Sequence, residues 1–279
     1  MLTGFSDEKI ISLLNTHTLW GKRACREIIR RKDDFMPLLI NILDRAIDDP
    51  DPFMNGDDDT HIPAAMLLAQ MREPQAYPRL VRLMDYDDKD IDFLWGEVLA
   101  EHYTQFLRDT YNGDASLLPG IIEKRSVAPF SRIMAVYSLG MYYFDGHISR
   151  EEITGYFRRL IHEVYTGKPS KDDEIVLSSI ADCIREQQLD ELIADVKTIY
   201  DRNGIEQLLC GSYDKYTTEF SAPINLAKDR HIDDTIQTLQ EWRWFEEKGL
   251  HKIPDFDDDD YYDYDDDDDD YDDEYDEFL

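Results

Sequence analysis

The stretch that decides the fold runs from Pro63 to Asp85 and has the sequence PAAMLLAQMREPQAYPRLVRLMD. Its first half is rich in alanine, and the half after Pro74 carries bulkier Leu, Val and Met side chains. A short alanine-rich helix, a tight turn and a leucine-rich second helix are typical of a HEAT-like repeat, in which helix pairs stack on one another. The stretch therefore predicts a helical pair.

The same pattern extends outward in both directions, because apolar residues recur at spacings of three and four from Ser6 to about Lys248. Helix N-caps are predicted at Ser6, Ser149 and Ser170. Predicted helix pairs follow one another at intervals of roughly 35 to 40 residues, the range of helical solenoid repeats. We expect an all-α fold, a HEAT-like stack of antiparallel helix pairs (an α-solenoid), over residues 1–250.

Three local predictions are specific enough to be tested by a structure. A single long helix is expected from Phe93 to Thr110. Another is expected from Phe35 to Ile47, which would place Pro37 in a first turn, where proline is tolerated. The aromatic run at 242–245 is expected to seal the C-terminal end of the stack or to form an exposed contact patch, and residues 205–229 give no clear pattern.

The net charge of −32 is divided unevenly along the chain. Residues 255–279 hold 17 of the 62 acidic residues and no Lys or Arg, which leaves 45 acidic and 30 basic residues before them. An acidic body repels nucleic acid and membrane surfaces, so we expect neither as a direct partner and expect a basic protein instead. Residues 251–279 are predicted to be a disordered Asp/Tyr-rich tail, since like charges without apolar periodicity do not form a core.

Two interpretations of the tail remain open: a solubility tail with no specific partner, and an interaction tail for a basic surface. Tyrosines among the carboxylates favour the interaction tail. The most specific version of that interpretation is that the tail mimics nucleic acid. The candidate partner-binding residues of the tail are Asp257, Asp258, Asp259, Asp260, Asp265, Asp266, Asp267, Asp268 and Phe278.

One basic cluster stands out in this acidic chain. Lys22, Arg23, Arg26 and Arg30 fall on the helix face opposite Leu19, Trp20, Ala24 and Ile28. The hypothesis is that this basic stripe binds an anion or docks the acidic tail. The alternative is a solvated helix face with cations near the helix C-terminus.

Evidence for catalysis is weak. The sequence has no glycine-rich phosphate loop, nucleophile elbow or HExxH motif, and its three cysteines follow no metal or disulfide spacing. Weak metal candidates are Glu97, Glu101 and His102 on one predicted helix, with structural hydrogen bonding as the alternative. The segment Asp57-Asp58-Asp59 with His61 lacks the spacing of a calcium loop and is interpreted as an N-capping segment.

These observations predict a non-enzymatic protein-interaction module without a cofactor; the alternative is a metal-dependent enzyme that uses the Glu/His cluster. The N-terminus has no basic and apolar regions of a signal peptide, and no apolar run is long enough to span a bilayer. We therefore expect a cytoplasmic protein.

Four stretches carry a family resemblance: IPAAMLLAQMREPQAYP (62–78), WGEVLAE (95–101), IMAVYSLG (133–140) and GHISREE (146–152). Together they resemble the bacterial domain of unknown function 1186 family, over roughly residues 5–220. The resemblance implies a HEAT-like α-helical fold and no established activity. Many relatives end in a Cys-rich zinc motif, and this chain has no such cysteines, so a partner recognised through that motif is not implied here.

Overall fold

The computed structural model describes Leu2, residues 4–220, residues 231–242 and residues 244–245. Every regular element in those ranges is helical, which confirms the predicted all-α class. The α-helices are α1 (Asp7–Ser12), α2 (Leu19–Arg30), α3 (Lys32–Asp48), α4 (Asp51–Met54), α5 (His61–Gln70), α6 (Tyr77–Arg82), α7 (Asp88–Trp95), α8 (Glu97–Asp109), α9 (Leu118–Ile122), α10 (Pro129–Phe144), α11 (Arg150–Arg159), α12 (Lys171–Glu186), α13 (Ile193–Asp201), α14 (Gln207–Cys210), α15 (Tyr213–Glu219) and α16 (Thr235–Glu241).

The core is a continuous row of five helices, α3, α5, α8, α10 and α12, in which each helix packs on the next. In α5 nearly every side chain is buried, and Ala64, Ala65 and Ala69 are fully inaccessible to solvent. Small side chains let α5 lie close to its neighbours, while α6 supplies Leu80 and Val81 as bulk against the same core. The predicted HEAT-like stack, including the turn between α5 and α6 at Pro74, is confirmed.

The N-caps follow the predictions because they depend on local chemistry. The Ser6 hydroxyl accepts a hydrogen bond from the Lys9 amide, and Ser149 and Glu152 form a complete capping box. The Ser170 hydroxyl likewise accepts a hydrogen bond from the Asp173 amide. The beginnings of α1, α11 and α12 are thus fixed by residues next to them in the chain.

The prediction of one long helix over 93–110 is wrong. Gly96 adopts φ 49° and ψ −133°, a conformation that only glycine takes readily, and it separates α7 from α8. The break lets residues on both sides of it be buried: Trp95 is 1% exposed, and Val98 is 2% exposed. The indole of Trp95 donates a hydrogen bond to the Leu83 carbonyl at 3.2 Å.

The position of Pro37 also differs from the prediction. Helix α3 begins at Lys32, three residues earlier than expected, so Pro37 is its sixth residue and not part of the first turn. The earlier start arises because α2 and α3 meet at Arg31, whose carbonyl accepts hydrogen bonds from the Asp34 and Phe35 amides.

A buried ionic cluster joins α10 to α12. The Arg132 side chain is 1% exposed, and its guanidinium lies 3.2 Å from the Asp173 carboxylate. Arg132 also donates to the Tyr165 hydroxyl at 2.8 Å and to the Ile122 carbonyl at 3.2 Å. Arg125, more than half exposed, contacts the same carboxylate at 3.2 Å. Within the ranges that the structure describes, no helix is long and apolar enough to cross a bilayer.

The candidate interaction face

One surface of the helical stack is covered by a later segment of the same chain. Residues 231–242, Trp244 and Phe245, here called the C-terminal strap, return to the N-terminal half of the stack. Helix α16 of the strap packs on α2 and α5, and the residues around it contact α8. We call the surface formed by α2, α5 and α8 beneath it the strap face. Of the two expectations for the aromatic run, sealing of the C-terminal end of the stack is therefore wrong for Trp242, Trp244 and Phe245, which lie against the N-terminal half.

A cluster of charged and polar groups holds the beginning of the strap. The Asp109 carboxylate is fully buried and accepts hydrogen bonds from the Ile232 amide at 2.7 Å and from the His231 ring. The Arg72 guanidinium lies 3.2 Å from Asp109 and donates to the Ile232 carbonyl at 3.0 Å and to Asp233 at 2.8 Å. Burial raises the pKa of the Asp109 carboxyl, although the bonds from His231 and Ile232 oppose that shift.

Two apolar side chains and one further hydrogen bond also hold the strap. Leu239 on α16 is completely buried, and Ile232, in the non-helical stretch before α16, is 2% exposed. The side-chain carbonyl of Gln70 accepts a hydrogen bond from the Thr235 amide at 3.0 Å.

Histidine and tryptophan rings hold the end of the strap. Trp242 packs on the His102 ring with centroids 4.9 Å apart, and its indole donates to Glu101 at 3.0 Å. Trp244 stacks on His17 with centroids 4.3 Å apart, and His17 contacts Asp59 at 3.1 Å. Each indole therefore lies against a histidine ring with a carboxylate close by, Glu101 beside His102 and Asp59 beside His17.

The fit between strap and face is incomplete. Among the described residues, three buried polar atoms at this contact have no hydrogen-bond partner: Nε2 of His102, Oγ1 of Thr235 and Nε1 of Trp244. A buried polar atom without a partner costs about 1–3 kcal/mol. The contact is therefore less favourable than one in which every polar group is paired.

Carboxylates lie on both sides of the contact between strap and face, and most of them have partners there. Asp109 pairs with Arg72 and with the His231 ring, and Asp233 pairs with the same arginine. Glu101 accepts the hydrogen bond from the Trp242 indole.

The structure places two of the three weak metal candidates, Glu101 and His102, within this contact. Glu101 accepts the Trp242 hydrogen bond, and His102 pairs with Gln105 at 2.8 Å through Nδ1. Glu97 is exposed in the first turn of α8. Over the residues that the structure describes, no group of three or more His, Cys, Asp or Glu side chains is arranged to hold a metal ion.

The acidic segment before α5 has structural partners. Asp58 accepts hydrogen bonds from the Thr60 amide at 3.0 Å and from Arg45 at 2.7 Å. His61 is 1% exposed and hydrogen-bonds through Nε2 to the Leu94 carbonyl at 2.5 Å. Burial lowers the pKa of His61, which favours a neutral ring in the core.

The basic stripe is divided by the structure. Arg30 pairs with Glu27, and Arg23 lies over the Trp20 ring at 4.7 Å. Lys22 and Arg26 form no ion pair with any residue that the structure describes. A Cβ at Gly21 would lie 3.3 Å from the Phe245 ring, so the strap brings the chain to the beginning of this stripe. The candidate tail residues 257–278 lie outside the described residues, and docking of the tail on the stripe stays a prediction.

The three cysteines are buried and form no disulfide among the described residues. Burial raises the pKa of Cys25 and that of Cys210 to about 12, so both are protonated thiols at neutral pH.

Sequence reasoning missed the residues that hold the strap, Gln70, Arg72, Asp109 and His231. The only local signals for this region are Asp234, which caps α16, and the apolar spacing of Ile232 and Leu239. Neither signal indicates which surface the segment covers.

Comparison with known proteins places these elements in context. The profile of a family described as "Protein of unknown function (DUF1186)" matches residues 8–246. A protein of Chlamydia trachomatis described as uncharacterized is 26% identical over 230 residues, covering 79% of this chain and 89% of the relative. A Chlamydia muridarum protein with the same description is 25% identical, with 79% and 90% covered. No solved structure matches. The matched region includes the strap, ends before the acidic tail, and is longer than the expected 5–220.

Proposed function

We propose that this chain, which belongs to the DUF1186 family, is a non-enzymatic interaction module that binds a basic protein partner. The observation that carries the proposal is the strap face, where α2, α5 and α8 hold a polypeptide segment through two buried aliphatic side chains, two indoles and a buried carboxylate. Aromatic anchors combined with a few directed polar contacts are typical of surfaces that recognise polypeptides.

The electrostatics support a basic partner. The body before residue 255 carries 45 acidic and 30 basic residues, and the tail adds 17 carboxylates. A negative field of this size accelerates encounter with a cationic protein and weakens as salt is added. The tail and the strap face can contribute separately to the same interaction, since they are different parts of the chain.

The test is affinity capture from the lysate of the native host, with the full chain compared with a chain truncated after Pro254 at low and high salt. Capture of a basic protein by both forms, resistant to salt, would support binding through the helical body. Capture by the full chain alone, reversed by salt, would place the contact in the tail.

The proposal fails if neither form enriches a basic protein. Recovery of a stoichiometric metal that survives dialysis and is lost in Glu101→Ala would favour the metal-dependent enzyme instead. Metal analysis of both purified forms therefore belongs in the same experiment.

A further inference from the structure

The strap occupies a surface that already has the chemistry of a binding site. It covers two histidines that lie against indoles, His17 and His102, and two carboxylates that accept hydrogen bonds, Glu101 and Asp109. A segment from the same chain is thus bound there as a peptide ligand would be. The question is whether this occupant is permanent.

Two properties of the contact favour exchange. Three buried polar atoms at the contact have no partner among the described residues, and each of them opposes closure of the strap. The ion pairs that hold the beginning of the strap are partly open to solvent, since the Arg72 side chain is 39% exposed, that of His231 45% and that of Asp233 79%, and ion pairs open to solvent contribute little to binding. The covalent connection between strap and body compensates for a weak contact. A segment of the same chain has a high effective concentration at the surface that it covers, even when its intrinsic affinity is low.

We propose that the strap is a displaceable intramolecular occupant, and that a basic amphipathic helical segment of a partner protein replaces it on α2, α5 and α8. The inference rests on the proposed function, because it assigns that function's basic partner to one surface.

The strap itself shows what the incoming segment requires. An aliphatic residue must occupy the position of Leu239, which is completely buried, and an indole must occupy that of Trp242, between His102 and Glu101. The exposed positions can change freely: Gln237, Gln240 and Glu241 face solvent. Lysine or arginine at those positions would give the exposed side of the segment a positive charge, which suits a body whose net charge is negative.

Displacement has a measurable consequence. If the strap covers the face most of the time, the apparent affinity of a competitor is reduced by the fraction of molecules in which the face is open. Any change that weakens the strap without touching the face should therefore strengthen binding of the competitor.

The probe is a fluorescently labelled peptide with the sequence of residues 231–245 and the changes Q237K, Q240K and E241K. Its binding by full-length protein is measured by anisotropy in about 0.15 M salt, where the Debye length is about 8 Å and long-range attraction to the acidic tail is suppressed. A scrambled peptide of equal charge is the control ligand. Amide hydrogen exchange of residues 231–242 is followed in the same samples.

Two variants weaken the strap. Trp242→Ala removes its indole anchor, and Asp233→Ala removes the Arg72 contact from a side chain that is 79% exposed, so this change leaves the core intact. The matched control is Tyr213→Ala, a half-buried aromatic on α15 at the other end of the stack.

The expected result is that Trp242→Ala tightens probe binding about tenfold or more, since an aromatic anchor of this kind carries hot-spot energy. Asp233→Ala should tighten it less and Tyr213→Ala should not change it. In the wild type, saturation with the probe should increase hydrogen exchange of the strap.

Equal binding by the wild type and both strap variants would overturn the proposal, and so would equal binding of the scrambled peptide or unchanged strap exchange at saturation. Dimerisation of Trp242→Ala with restored strap protection would also overturn it, because the face would then serve a second copy of this chain. Any of these results together with capture of a basic protein would leave the proposed function standing at another surface.

Discussion

The buried cluster between α10 and α12 should respond asymmetrically to removal of its two charges. Asp173→Asn leaves the Arg132 guanidinium, 1% exposed, without its carboxylate. Arg132→Met instead leaves Asp173 paired with Arg125 at 3.2 Å. The Ile122 carbonyl also keeps the hydrogen bond from the Tyr165 hydroxyl.

The magnitudes follow from these contacts. A buried charge that loses its partner typically costs about 3–5 kcal/mol, which is the expectation for Asp173→Asn. Loss of Arg132 removes hydrogen bonds but leaves no unpaired charge, so we expect about 1–3 kcal/mol for Arg132→Met. The double variant contains neither the buried arginine nor the buried carboxylate. Its loss of unfolding free energy should therefore be smaller than the sum of the losses in the two single variants.

The assay is urea unfolding followed by circular dichroism for the wild type, both single variants and the double variant. A pH series adds a second test. Burial acts to raise the pKa of Asp173, but hydrogen bonds from Arg125 and Arg132 outweigh it, so the pKa lies below its ordinary value. A depressed carboxyl pKa contributes stability above the unfolded value of about 3.9 and loses it as pH falls through the folded value. The difference between the wild type and Asp173→Asn should therefore shrink below about pH 4.

The reasoning is refuted if Arg132→Met is destabilised as much as Asp173→Asn, or if the two changes are additive. Either result would mean that the exposed Arg125 does not compensate for the buried arginine.

Three further predictions concern packing, thiol reactivity and the tail. A Cβ at Gly140 would meet Sγ of Cys183 at 2.6 Å, so Gly140→Ala should lower the free energy of unfolding by about 1–3 kcal/mol. Gly155→Ala on α11 has open space around it and should be neutral or stabilising by up to about 1 kcal/mol. The midpoints of urea unfolding distinguish these two outcomes. Because burial raises the pKa of Cys25 and that of Cys210 to about 12, native protein at pH 8 should react with a thiol reagent far more slowly than protein in urea, and equal rates would contradict this. If the tail docks on the basic stripe of α2, deletion of residues 255–279 should strengthen heparin binding, and charge reversal at Lys22 and Arg26 should cancel the gain; unchanged binding after deletion would end the fold-back hypothesis.

The two wrong helix predictions have different physical origins. Gly96 was visible in the sequence, but a glycine inside a helical pattern is compatible with either a continuous helix or a break. The choice was made by tertiary packing, since the break buries both Trp95 and Val98. The start of α3 depends on the junction at Arg31, where hydrogen bonds to two carboxylates, Asp7 at 2.8 Å and Asp34 at 3.0 Å, fix the side chain.

The weak metal candidates show the limit of helical spacing as a functional signal. The sequence places Glu97 and Glu101 one turn apart, which suits metal binding and structural hydrogen bonding equally well. The structure adds that Glu101 and His102 contact Trp242, about 140 residues away in the chain. That contact gives them a role in holding the strap, which no local pattern contains.

The sequence by itself determined the helical class, the caps at Ser6, Ser149 and Ser170, and the concentration of acidic residues in 255–279. These depend on residues within a few positions of one another and on composition. Only the tertiary structure decided where the C-terminal segment lies, because the Asp109–His231 contact joins residues 122 positions apart. An amphipathic sequence pattern indicates that one side of a segment will be buried. Which surface buries it depends on the packing of the whole helical stack.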